Sequence, residues 1–176
     1  MQGKRGHPIP LAEPQAAIDL APGRYHSAGM LLVHGTTVAL GPKGVLIRGP
    51  SGSGKSDLAL RLIDGGAVLV ADDQTEIVLE GGIPAARPPS VLAGLLEVRG
   101  MGIVRMAYLA SVPLALVVDL VPATQVDRMP GPAAADLLGV AVPSLHLAAF
   151  EAATPAKIRL AARNPVVIDD LESDPR

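Results

Sequence analysis

From Met30 onward, short apolar runs alternate with breaks rich in glycine and proline, and the length and spacing of each run predict the element it forms. "MLLVHGTTVAL" (Met30–Leu40) and "GVLIRG" (Gly44–Gly49) read as two strands joined by a Gly-Pro-Lys-Gly turn. In "KSDLALRLIDGG", Leu58, Ala59, Leu62 and Ile63 fall on one helical face, and Gly65 and Gly66 are stop residues. "AVLVADD" (Ala67–Asp73) reads as a short buried strand ending in two acids. "TEIVLEGGIPAARPP" reads as a strand, a Gly-Gly turn and an extended segment bearing prolines. "VLAGLLEVRGMGIVRM" (Val91–Met106) is mixed and broken by glycine, and its periodicity selects no single element. "LALVVDLV" (Leu114–Val121) is a fully apolar strand, Pro122–Val140 a loop with a short helix, and "VPSLHLAAF" (Val142–Phe150) another strand. "TPAKIRLAARN" is a helix with Thr154 as N-cap and Pro155 at its first position. Strands alternate with helices but also form hairpin-like pairs, so the expected fold is α/β with a mixed sheet and flanking helices.

Residues 1–28 lack strong periodicity and read as an N-terminal tail; 29–165 form one folded unit, and 166–176 read as a solvated C-terminal tail. The chain has 176 residues, enough for one domain with a real core. Its apolar content is mostly Ala, Val and Leu, with two Tyr, one Phe and no Trp. Few aromatic platforms and a formal charge of -2 argue against a nucleic-acid or anionic-membrane surface. The absence of cysteine rules out disulfides and thiolate metal sites. No signal peptide and no run long enough to span a bilayer is legible, so a cytoplasmic location is expected.

The densest chemistry lies in "GPSGSGKS", which fits G-x-x-x-x-G-K-[ST] between an apolar strand and an amphipathic helix. Gly49, Pro50, Ser51, Gly52, Ser53, Gly54, Lys55 and Ser56 are therefore the candidate nucleotide-binding residues. A phosphate chain needs several backbone N–H groups aimed at it, which bulky Cβ atoms would block. The helix adds the positive end of its dipole, Lys55 an ammonium for the β/γ phosphates, and Ser56 a hydroxyl for Mg²⁺. The competing reading, a plain Gly/Ser connection, does not account for this motif in this context. The loop identifies a nucleotide or polyphosphate ligand and leaves the reaction open.

Discrimination falls to the remaining polar residues. Asp72 and Asp73 close the strand after the helix, at a sheet end of the kind where α/β proteins bind ligands. On a continuing strand they point apart, so one can hold the site or a metal while the other takes a proton; a solvated turn is the alternative. Asp119 ends another apolar strand, where a contact to metal-bound water and a strand-end cap are both open. His34, inside an apolar run, reads by itself as a hydrogen-bonded core residue. Glu97 and Arg99 in "EVRGMG" and Arg128 in "VDRM" are unremarkable in isolation.

Taken in order, "HG" at His34-Gly35, "GPSGSGKSDLALRLIDGG", "LVADD", "EVRGMGI", "VDRM" and "VPSLHLAAFEAATPAKI" resemble the catalytic domain of HPr kinase/phosphorylase, over roughly Met30 to Ala162. The resemblance implies a P-loop fold related to phosphoenolpyruvate carboxykinase, and phosphorylation of a serine on the phosphocarrier protein HPr within the phosphotransferase system. It implies that Lys55 and the loop hold ATP or pyrophosphate, that Ser56 and Glu97 bind Mg²⁺, and that Asp73 accepts the serine proton. It places His34 beside Asp73 and gives Arg128 the neutralisation of transferring phosphate. It also implies a homo-oligomer, usually a hexamer. "DRMPG" departs from the more usual "DRLG", the matched region is that of a short form without a separate N-terminal domain, and Arg159 is a candidate replacement for a missing basic residue. A small-molecule kinase or nucleotide hydrolase, and a non-catalytic nucleotide sensor that binds a phosphocarrier, are the competing readings.

Overall fold

A computed structural model describes residues 29–163; the expected tails at 1–28 and 166–176 lie outside the described residues. The first two runs form β1 (Leu31–Leu40) and β2 (Lys43–Arg48), an antiparallel hairpin whose turn has Gly41 at φ 61°. The expected helix is α1 (Lys55–Asp64), with Leu58, Ala59 and Leu62 buried. β3 (Val68–Ala71) returns antiparallel to β1. β4 (Gln74–Glu80) and β5 (Ile83–Arg87) pair around Gly81-Gly82, so the extended segment after the glycines is a strand.

The ambiguous stretch from Val91 to Met106 resolves into β6 (Leu95–Val98) and β7 (Gly102–Arg105), a two-stranded ribbon separate from the main sheet. Because that ribbon leaves apolar side chains such as Ile103 exposed, its sequence lacks the alternation of a half-buried strand. β8 (Val112–Leu120) is the expected apolar strand.

The segment read as loop with a short helix needs correction. A 3-10 turn does occur at Ala123–Gln125, but Ala134–Leu137 is a strand, β9, paired antiparallel with β10 (Val140–Leu147). The connecting residues Leu138 and Gly139 both have positive φ, 58° and 83°. Two-residue hairpins favour that geometry, usually with Asn or Asp first; leucine in that place hid the turn.

The final helix is α2 (Thr154–Arg163). Thr154 lies within it, fully buried, and its hydroxyl donates to the carbonyl of Ala148 at 2.6 Å, tying the helix to the end of β10 where a side-chain cap had been expected.

The main sheet runs β2-β1-β4-β5-β8-β10-β9, with β3 on β1 and a further β2–β8 pairing. β2, β8 and β10 are mutually parallel while the other pairings are antiparallel, which makes the fold the expected mixed α/β sheet. Two cores separate by strand parity. Val38, Val45, Ile47 and Val118 pack with α1 and α2, whereas Ala39, Leu46 and Val117 face Ile77, Ala86 and Leu137. Burial of both sheet faces explains why β2 and β8 read as unbroken apolar runs.

The same topology gathers the carboxyl ends of β2, β3, β8 and β10 at one edge, and the site is built there. No helix among the described residues is long and apolar enough to cross a membrane.

Candidate active site

The glycine-rich loop leaves β2 at Gly49 and enters α1 at Lys55. Gly54 is the N-cap residue at φ 93°, a left-handed conformation that costs a side chain about 1–2 kcal/mol. A Cβ on Gly54 would also lie 2.7 Å from the Phe150 ring and 2.9 Å from Ala149. Glycine at this position is thus required twice, for its conformation and for the close approach of the β10–α2 connection. Lys55 is buried, and its ammonium donates to the carbonyls of Gly49 and Pro50, each at 3.0 Å. It therefore braces its own loop while facing the adjoining cavity.

The two acids after β3 take different positions, but through a turn and not through strand alternation, because β3 ends at Ala71. Asp72 is 5% exposed and holds three donors: Thr36 Oγ1 at 2.7 Å, Ser56 Oγ at 2.8 Å and the backbone N–H of Glu97 at 3.0 Å. One carboxylate thereby locks β1, α1 and β6 together. With its proton directed at Asp72, the Ser56 hydroxyl keeps lone pairs for another partner. Replacing Asp72 with alanine strands these donors, so a loss of about 2–3 kcal/mol is expected. Urea unfolding of Asp72→Ala measures it, and Asp72→Asn, which keeps an acceptor oxygen, loses less.

Asp73 turns outward. It is centred in a tight turn closed by Gln74 N–H to the Asp72 carbonyl at 2.7 Å, with φ 64°. Such conformations cost about 1–3 kcal/mol and concentrate at functional sites. The turn is anchored by Gly35 N–H donating to the Asp73 carbonyl at 3.0 Å. His34 Nδ1 stands 3.3 Å from Asp73 Oδ1, and the two side chains are 52% and 66% exposed. Gly35 permits the arrangement: a Cβ there would sit 2.8 Å from the Ile47 carbonyl oxygen.

Loop residues Ser51, Gly52, Gly54, Lys55 and Ser56 line one cavity of about 310 Å³, together with His34, Asp72, Asp73, Glu97 and Arg99. Gly49, Pro50 and Ser53 complete the loop outside that lining, Pro50 and Ser53 in the wall of a neighbouring cleft.

Arg128 is exposed and does not line the cavity; Arg99 does. Asp119 takes neither expected role, because both its carboxylate oxygens accept from Arg48, at 2.8 and 2.7 Å, in an ion pair across β2 and β8. Arg159 does not fill in at the site. It donates to the carbonyls of Arg61 and Leu62 at the opposite end of α1, whose ten residues span about 15 Å. Thr36 and Phe150 are contributors that the sequence reading missed. A buried threonine in a strand carries no pattern of its own, and Phe150 lay at the end of a run that read as packing.

Among the described residues no group of three or more His, Asp or Glu side chains forms a metal cage. Ser56 and Glu97 bring two oxygen donors to the cavity, with Asp72 behind Ser56. This donor set fits Mg²⁺, which takes one or two protein oxygens and completes its shell with water and substrate phosphate.

Residues 26–164 match the family model described as the HPr Serine kinase C-terminal domain. The chain belongs to that family. It is 42% identical over 108 residues to the HPr kinase/phosphorylase of Geobacillus sp. (strain WCH70), covering 55% of this chain and 35% of that protein. It is 41% identical over 104 residues to the HPr kinase/phosphorylase of Bordetella pertussis, covering 54% of this chain and 34% of that protein. These matches span about a third of the length of the curated relatives. The structure of the Hpr(Ser) kinase/phosphatase from Coxiella burnetii superposes with a TM-score of 0.69 at 28% identity, covering 77% of this chain and 90% of that one. The HPr kinase C-terminal fold is therefore shared along most of both chains, and the resemblance carried by "EVRGMGI" and "LVADD" marked the right family.

Proposed function

We propose that this domain transfers a phosphoryl group from ATP to a serine hydroxyl of an HPr-type phosphocarrier protein. The observation that carries the reading is that Lys55 and Asp73 line the same cavity, with Ser56, Glu97 and His34 beside them. In this reading Gly49–Ser56 is a phosphate-binding P-loop, and the fold is of the phosphoenolpyruvate-carboxykinase-like kind. Loop amides and the N-terminus of α1 hold the phosphates, and Lys55 releases its loop carbonyls to meet the β/γ oxygens. Ser56 and Glu97 hold Mg²⁺, which when bound neutralises charge on the phosphate oxygens.

Asp73 accepts the serine proton as the new O–P bond forms and the bond from the γ-phosphorus to the β–γ bridging oxygen breaks. His34 orients the Asp73 carboxylate. In the phosphorylase direction inorganic phosphate attacks the phosphoserine phosphorus, the serine O–P bond breaks to give pyrophosphate, and protonated Asp73 returns the proton to the leaving serine oxygen. Pyrophosphate is an alternative phosphoryl source for the same cradle. Arg128 neutralises the moving phosphoryl group; because it does not line the cavity, this role requires its exposed segment to move inward.

The exposure of His34 and Asp73 favours a macromolecular acceptor over a small molecule, since a serine on a protein surface can reach them at the cavity rim. The proposal places the protein in the cytoplasm as a homo-oligomer, with regulation of the phosphotransferase system as its role.

The test is incubation of the purified protein with an HPr-type phosphocarrier, Mg²⁺ and ATP labelled on the γ-phosphate. Phosphoserine on the carrier is the expected result. Release of labelled phosphate with none on the carrier would move the assignment to a hydrolase, and binding of nucleotide and carrier without turnover would leave a sensor.

A further inference from the structure

A second cleft opens on the far side of the glycine-rich loop. It measures about 480 Å³, within the roughly 300–1,000 Å³ typical of small-molecule sites. Pro50 and Ser53 of the loop form one wall, and the residues that follow β8 and β10, among them Val121, Ala123 and Ala149, form the others. The lining is mainly apolar, unlike that of the cavity holding Lys55 and Asp73.

Three residues, Ser51, Gly52 and Phe150, line both spaces. The two therefore adjoin at the loop tip, and a ligand anchored in the polar cavity lies next to the apolar cleft. Phe150, the chain's one phenylalanine, stands at the junction and is 72% exposed. Its backbone is held: Arg61 donates to the carbonyls of Ala149 and Glu151 on either side. An exposed aromatic side chain on an anchored backbone offers a stacking platform for a planar partner. Ser53 supplies a second observation. Among the described residues its hydroxyl is the one buried side-chain polar atom without a hydrogen-bond partner, a costly condition that a ligand hydroxyl relieves once the loop adjusts.

We infer that this cleft takes the nucleoside part of the phosphoryl donor, with the base against Phe150, the sugar toward Ser53 and the polyphosphate leading over Ser51-Gly52 to Lys55. The inference rests on the phosphate-binding reading of the loop and extends it to the rest of the donor. It also fixes the selectivity. The Glu151 carboxylate is already paired with Lys157 at 2.7 Å, and the remaining lining carries no charged side chain to read a base edge. The site recognises a nucleoside by shape and stacking, and discriminates weakly between purines.

Calorimetric titration of the purified chain with the Mg²⁺ salts of ATP, GTP and inorganic tripolyphosphate tests this. ATP and GTP are expected to bind within about threefold of each other, and both about tenfold or more tighter than tripolyphosphate. Phe150→Ala, at an exposed position, is expected to weaken ATP and GTP by about tenfold while shifting tripolyphosphate by less than twofold, and Phe150→Tyr to restore the difference. Equal affinity for ATP and tripolyphosphate in the wild-type protein, or an equal loss for both in Phe150→Ala, overturns the cleft assignment and leaves the phosphate site standing. Absence of binding by all three ligands removes the phosphate reading and the cleft with it.

Discussion

Replacing Lys55 with alanine is expected to lower phosphoryl transfer by at least about 10²–10³-fold, the loss typical when one preorganised charge donor is removed from a transition state. The prediction follows from where the ammonium lies. It is buried at the first turn of α1, 3.0 Å from each of two carbonyls of the loop that would wrap the phosphates. Anionic phosphate oxygens compete well against neutral carbonyls for that ammonium, and the displacement is short because both sets lie on one loop. Alanine removes the proposed phosphate contact and takes one donor from each of the Gly49 and Pro50 carbonyls, of which Pro50's keeps the Ser53 N–H at 3.1 Å. Lys55→Arg is expected to fail as well, because a planar, forked guanidinium does not fit a point-charge position enclosed by backbone. Steady-state kinetics with ATP checks both variants, with circular dichroism to establish that each remains folded. Transfer at near wild-type rate by Lys55→Ala would remove the loop from the chemistry.

How much of this was legible beforehand depended on whether function or packing governed a stretch. The loop and its helix were readable because glycines, a lysine and a hydroxyl at fixed spacing form a pattern that stands out whatever surrounds it. β2 and β8 were readable because both faces of the sheet are covered, which leaves no polar interruptions. The ribbon from Leu95 to Arg105 was not, since it stands away from the sheet and its exposed Met101 and Ile103 blur the pattern. β9 was hidden by a leucine where a turn usually carries Asn or Asp. Within the site, the sequence placed Asp72 and Asp73 near the loop but could not divide their labour. That division comes from a three-dimensional fact, the convergence of Thr36, Ser56 and the Glu97 amide on one buried carboxylate. Asp119 shows the reverse: a strand-end acid that invited a metal-water role is consumed by an arginine one strand away. Short-range pattern finds the loop that lines the cavity, while the groups that hold it are set by pairings between distant strands.

Asp73→Asn is expected to reduce serine phosphorylation by about 10²–10⁴-fold, the usual worth of a positioned general base, while Mg²⁺-ATP affinity changes by less than about threefold. Asparagine is the informative replacement because the backbone here is demanding. At φ 64° Asn is tolerated nearly as well as Asp, so the turn, its Gln74 hydrogen bond and the anchor from Gly35 all survive. What disappears is the carboxylate oxygen proposed to take the proton. Alanine at the same position would lose the base and also strain the turn, by about 1–2 kcal/mol. The pair of variants therefore separates two explanations. If Asp73 acts as the base, Asn and Ala abolish transfer alike although only Ala lowers the unfolding midpoint. If Asp73 merely shapes the turn, Asn retains transfer and Ala loses it. Rapid-quench measurement of the first turnover, with ATP binding followed separately, reads the chemical step directly. An Asn variant that phosphorylates the carrier at the wild-type rate would take proton acceptance away from Asp73 and leave the exposed His34 as the remaining candidate at the cavity rim.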